Sequence, residues 1–399
     1  MVNFVVFLNA YILSQFFRTF LAVIAPELSK ELGLSADNLA NISAAWFIAF
    51  AFSQLPLGLA LDRIGPRRIV PALMLCAAAG AALLAFARSS VDCILANTLI
   101  GLGCSPIYMG ALYVFARNSP PERFGFLTAT MLGLGSSGNL LAATPLSIAS
   151  EAYGWRTTFL AIAVIVVVSA ALIWLLVRDP PQARRPETSE NVFVEYIRLL
   201  TLPRLWSLLP LLMLGYGIVL AERGLWVGPY LADVYGLSPV ARGNATLVMA
   251  IAMSLGALVF GALDGVIARQ KLVAGGALVA GSSFVSLWMI VDAPLWVAVA
   301  LLTVIGFAGL GHPLLVAHAR SFFPDHLVGR GITLANFAAM IGAGLLQWIS
   351  GIYVVGLQLG GLQPPGVYAA LHLAFGLGII SAALIYVTWA GNAGPPRPA

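Results

Sequence analysis

Tyr11, Gln15 and Arg18 stand four and three residues apart in an otherwise apolar stretch, so on a helix they share one face. Inserting an arginine in the middle of a bilayer costs about 2.5 to 3.5 kcal/mol, which directs it to a polar cavity, a partner or the headgroups. Its chemistry there is reception of a negative charge. The one embedded acid, Glu222 in GYGIVLAERGLW, has the chemistry of a proton carrier. Two readings of it stand: it faces Arg18 across a cavity, or it sits with Arg223 in water at the outer boundary. Asn97 and Tyr108, with His312 and Asn336, offer hydrogen bonds to a solute or to a neighbouring helix. His312 is also of the type that takes up protons. Trp46 and Trp226 are of the type that anchors at the membrane interface.

These side chains must be placed by elements that live in lipid. The chain is 399 residues long, 60% hydrophobic and 9% charged. Apolar runs of about 20 residues, the length that crosses a hydrocarbon core of about 30 Å, recur from end to end. Breaking the runs at charges, prolines and polar clusters predicts twelve spans, at 4–25, 38–60, 69–88, 92–115, 124–149, 156–177, 205–226, 243–263, 272–291, 294–317, 331–356 and 366–389. The expected fold is an all-α membrane protein with two pseudo-symmetric six-helix bundles. With the N-terminus inside, fifteen lysines and arginines fall on the inner side and five on the outer: Lys30, Arg88, Arg156, Arg223 and Arg242. Arg18, within a span, completes the 21. That bias puts both termini in the cytoplasm.

The longest polar break, 178–204, begins with charge and proline and turns amphipathic from Asn191 to Leu200. It reads as a linker with a short interfacial helix, separating a bundle at 1–177 from a second bundle and tail at 205–399. Internal repetition agrees. APELSKELGLS from Ala25 and GPYLADVYGLS from Gly228 match at Pro26 and Pro229, at Leu28 and Leu231, and at their Gly-Leu-Ser endings. The offset, 229 − 26 = 203, also relates Arg117, Pro121 and Glu122 to Arg320, Pro324 and Asp325. Two parallel repeats of six spans suit a transporter rocking about a central site.

Between spans 2 and 3 lies GLALDRIGPRR, a cluster of charge in a chain that has little. A weaker copy, GALDGVIARQK, occupies the equivalent connection between spans 8 and 9, with Asp62 to Arg67 and Asp264 to Arg269 equally spaced. On Gly58, Asp62, Arg63, Gly65, Arg67 and Arg68 the chain resembles the major facilitator superfamily, twelve-span bacterial type. The resemblance implies alternating access, a monomer in the bacterial cytoplasmic (inner) membrane, and a loop that latches the state closed to the cytoplasm. In physical terms, Gly58 would allow a close helix approach, while Asp62 and Asp264 would each lie at the positive N-terminal end of a helix of the opposite half. For Asp62 that is span 11 near Gly329 to Ile332, and for Asp264 the start of span 5. Two marks of proton-coupled drug exporters are missing: Asn97 stands where they carry an arginine, and Pro145 is displaced from their Gly-Pro pair.

Other chemistries find little support. Cys76, Cys93 and Cys104 form no metal or disulfide pattern. No basic stripe interleaved with aromatics points to nucleic acid, and no plausible nucleophile or dyad to an enzyme. GLGSSG at 133–138 matches a dinucleotide pattern, but inside an apolar span it reads as close helix packing. With two lysines in the chain and no GxxxxGK[ST], no cofactor is called for, ATP included. The apolar N-terminal stretch lacks a basic leader region and reads as a retained span. Met249 and Met253 would suit copper, though their spacing is that of packing residues.

The sequence therefore predicts a secondary transporter of a small organic solute, anionic or zwitterionic, with Glu222 available for proton coupling. Efflux of amphipathic compounds, or a non-transporting receptor on the same fold, are the alternatives.

Overall fold

The computed structural model describes residues 2–118, 121–179, 197–264, 266–309, 311–320, 322–323 and 328–390. The amphipathic part of the linker through residue 196, and Pro324 and Asp325 of the repeat, lie outside them. The described residues are helical, with no strand. In chain order the helices are α1 (Val2–Phe16), α2 (Leu21–Leu32), α3 (Ala36–Ile64), α4 (Pro66–Phe86), α5 (Ser90–Asn118), α6 (Pro121–Gly135), α7 (Ser137–Leu141), α8 (Thr144–Tyr153) and α9 (Trp155–Leu176). There follow α10 (Pro203–Pro210), α11 (Tyr216–Ala221), α12 (Val227–Tyr235), α13 (Pro239–Leu263), α14 (Arg269–Met289), α15 (Leu295–Ala308), α16 (His312–Arg320), α17 (Val328–Leu359) and α18 (Pro364–Ala390).

Ten helical stretches among the described residues are long and apolar enough to cross a membrane. An eleventh is formed by α1 and α2 if that pair, bent by 48°, is counted as one span. The stretch expected as a single span at 124–149 is instead divided into α6, α7 and α8. Pro145 has no N–H to offer the Leu141 carbonyl, and the Ser136 hydroxyl bonds the Gly133 carbonyl at 2.6 Å, so local chemistry interrupts the ladder twice. The GLGSSG segment packs closely, as expected. A Cβ at Gly135 would run into the Tyr11 ring, and one at Gly138 into the Ile12 carbonyl.

The helices gather into two compact units, Met1–Ala183 with Arg223–Leu247, and Arg184–Glu222 with Val248–Ala399. The first packs α4 against α5 and α9, and α12 against α2, where a Cβ at Gly228 would strike the Ala22 carbonyl. In the second, α14 packs on α15 and α18, and α11 on α17. The repeat is visible in the helix ends: Gly33 closes α2 at φ 64° and Gly236 closes α12 at φ 62°. This left-handed conformation costs a residue with a Cβ about 1 kcal/mol or more and a glycine almost nothing.

Candidate functional site

The first and seventh spans are irregular where the chemistry sits. Between α1 and α2 the backbone leaves the α-helical ladder at Arg18 and Thr19, which bond carbonyls three residues back at 3.3 and 3.1 Å. In the second repeat two wide π-helical turns, Leu211–Gly215 and Glu222–Trp226, flank α11. The offset of 203 carries Arg18 to position 221, beside Glu222. Such interruptions aim side chains and backbone groups that a regular helix would bury in its own ladder.

Arg18 belongs to the first unit. Its guanidinium carbon lies 5.4 Å from the Trp46 ring centroid and 5.6 Å from that of Phe50, a cation-π seat made by two stacked rings of α3. No carboxylate of its own unit pairs with it among the described residues. One turn earlier the Gln15 amide donates to the Tyr11 hydroxyl at 2.7 Å, and the Tyr11 ring lies 5.2 Å from that of Tyr108 on α5. The predicted face is thus a buried polar face with Tyr108 added. Asn97 is buried and donates to the Cys93 carbonyl of its own helix at 3.3 Å, so it is a helix-satisfied residue apart from this group.

Glu222 belongs to the second unit and is fully buried, and Arg223 in the first is 5% exposed, so neither sits in water at an outer boundary. The only described partner of the Glu222 carboxylate is the His372 imidazole of α18, Nε2 to Oε1 at 3.5 Å. His312 stacks on Tyr216 with centroids 4.3 Å apart, and both line one small pocket of the second unit. Asn336 is half-buried on α17, and Gln347 further along it is fully buried with no hydrogen-bond partner among the described residues. Met249 and Met253 lie against Gly306, where a Cβ would meet their Cγ atoms at 3.0 and 3.1 Å, so their role is packing. Trp46 and Trp226 are 2% and 1% exposed, not interfacial anchors: Trp46 carries Arg18, and the space around both is filled by neighbouring helices.

The charged loops are tied within their own units. Gly65, at φ 91° and ψ 151°, turns the chain from α3 into α4. The Arg67 backbone N–H then donates to Asp179 Oδ1 at 2.8 Å, and its Nε to the Trp174 carbonyl at 2.8 Å. Arg63 and Arg68 are exposed, and the Asp62 side chain lies outside the described residues. The expected close approach at Gly58 is not made to any described residue: the position is exposed and a Cβ there would meet nothing within 4 Å. Asp264 receives two bonds from Arg269, at 2.9 and 2.8 Å, which hold its carboxyl below the ordinary carboxylate range.

Sequence reasoning overlooked His372 and Asp179. His372, like His312, is an imidazole in an apolar span, and the rule that singled out Arg18 applies to it equally.

The pattern of the Major Facilitator Superfamily matches residues 7–347. The chain belongs to this superfamily. Its relatives include an uncharacterized transporter of Bacillus subtilis, 24% identical over 254 residues, 59% of this chain and 58% of that protein. A gentisate transporter of Corynebacterium glutamicum is 24% identical over 344 residues, 82% of this chain and 74% of the other. For the first two matched relatives the chain spans 58% and 42% of their lengths. Among solved structures, a D-xylose-proton symporter superposes with a TM-score of 0.80 at 18% identity, over 96% of each chain. The chain is therefore a multi-pass membrane protein of a transporter family with the superfamily's helical fold.

Proposed function

We propose that this protein carries small organic anions across the cytoplasmic membrane by alternating access, with twelve spans, both termini inside and the 178–204 segment joining two bundles. The observation that carries the reading is Arg18. A permanent cation is held inside a span over Trp46 and Phe50, beside the Gln15–Tyr11 pair, and among the described residues no carboxylate of its unit neutralises it. A guanidinium recognises a carboxylate well, because the carboxylate can take two parallel N–H bonds. Relatives carry the names gentisate transporter, hexuronate transporter and probable L-galactonate transporter, all carboxylates. Tyr11, Gln15, Tyr108, His312 and Asn336 would supply the polar contacts that orient the solute. Glu222, the buried acid, would supply coupling to protons.

The test is counterflow in liposomes holding the purified chain, with labelled gentisate, glucuronate, galactonate and xylose. Uptake of one or more carboxylates without xylose is expected, with a loss of about tenfold or more in Arg18→Gln. Equal transport by Arg18→Gln would overturn the assignment of the anion seat.

A further inference from the structure

We infer that Glu222 and His372 form one proton-binding unit, in which His372 is as necessary to coupling as the acid. This deepens the proposed proton-coupled anion transport and rests on it for its physiological meaning. The chemical case, however, stands on the pair itself.

Glu222 and His372 are 0% and 1% exposed, and Nε2 lies 3.5 Å from Oε1. Neither carboxylate oxygen has a hydrogen bond among the described residues. The Phe284 ring lies 5.9 Å from the imidazole and keeps the pair in apolar surroundings. The elements that pack around it in this unit carry few charged or titratable groups, the one on α10, which packs on α18, being Arg204. On α17 the only charged residue is Arg330 in the first turn, with Tyr353 further along; on α18 the other titratable groups are Tyr368 and Tyr386. On α14, which packs on α18, Arg269 and Lys271 are in the first turn, and on α16 stand His312, His318 and Arg320, with His312 against Tyr216. On the seventh span itself Arg223 follows in sequence, with its Nη2 donating to the Asn139 carbonyl.

A buried carboxylate alone is costly, and so is a buried imidazolium alone. One proton held between the two leaves the pair neutral whichever atom carries it. A second proton leaves one on Oε and one on the imidazole, with a net charge of +1. An anion entering the carrier compensates that charge, so solute and proton favour each other's binding, and their coupling is reciprocal. No bond other than O–H or N–H forms or breaks, and the proton comes from and returns to water.

The experiment is an infrared pH titration of the purified full chain, with the Glu222 carboxyl band assigned by its absence in Glu222→Gln. His372→Asn is expected to move the band's midpoint by about one pH unit or more. An unchanged midpoint overturns the inference. Should His372→Asn not fold, His372→Gln takes its place, and in the wild type the histidine ring bands must titrate in the same pH window as the carboxyl band. Separate windows overturn the inference. In liposomes, His372→Asn is expected to lose gentisate accumulation driven by an imposed proton gradient, whereas retained accumulation refutes the role in coupling. Absence of counterflow in the wild type refutes the anion reading, while the infrared titration still decides the pair.

Discussion

The backbone N–H of Arg67 points at the Asp179 carboxylate, 2.8 Å away, and so ties the start of α4 to the residue three beyond the end of α9. Gly65 makes this possible. Its φ of 91° with ψ of 151° belongs to a region open essentially to glycine, and a Cβ there would lie 2.7 Å from the Asp179 carboxyl. Gly65→Ala therefore meets both backbone strain and a collision, and a loss of about 1 to 3 kcal/mol is expected in denaturant unfolding of the purified protein. Adding Asp179→Ala should recover only the collision part. Full recovery would show that the backbone conformation carries no strain.

A latch acts on the exchange between states and a binding residue acts on affinity. If the GLALDRIGPRR loop is a latch, Asp62→Asn slows net uptake severalfold and leaves the solute's Kd within about twofold, because differential contacts alone shift a two-state equilibrium. Parallel uptake and thermal-shift titrations separate the two. An equal fall in both would assign Asp62 to folding.

Arg242 on α13 donates to Glu27 on α2 and, through Nη1, to the Leu237 carbonyl at 3.1 Å. Arg242 is 5% exposed, so Glu27→Gln leaves a nearly buried guanidinium with a weaker partner. A loss of about 1 to 3 kcal/mol is expected. The double change Glu27→Gln with Arg242→Met should cost less than the sum of the two single changes, as a double-mutant cycle in thermal unfolding would show. Strict additivity would mean that the two groups do not interact.

Much of this architecture was legible because it depends on local pattern. The Gly-Leu-Ser endings that follow Pro26 and Pro229 each place a left-handed glycine cap, at Gly33 and Gly236, since such a helix end needs only its own glycine. The Tyr11 and Gln15 face follows from helical spacing alone. Other features depend on residues more than a hundred positions apart, which periodicity does not register. Asp179 meets Arg67, and His372 meets Glu222, only because α9 and α18 pack where they do. The break of the fifth span is half legible: Pro145 is displaced from a family pattern and the Gly-Ser cluster reads as close packing, but periodicity carries an apolar stretch straight through both.

Asp264 and Arg269 give a pH dependence whose sign can be fixed. The two N–H bonds from Arg269 depress the folded-state carboxyl relative to its unfolded value of about 3.9. A depressed carboxyl contributes stability that is fully present above the unfolded pKa and is lost as pH falls through the folded one. Wild type should thus exceed Asp264→Asn in thermal stability at pH 7, and the gap should narrow below about pH 4 as the carboxylate takes up its proton. Unfolding midpoints of both proteins between pH 7 and pH 3 check this. A gap that stays constant would place the effect of Asp264→Asn in the shape of the loop, with no contribution from the charge that Asp264 shares with Arg269.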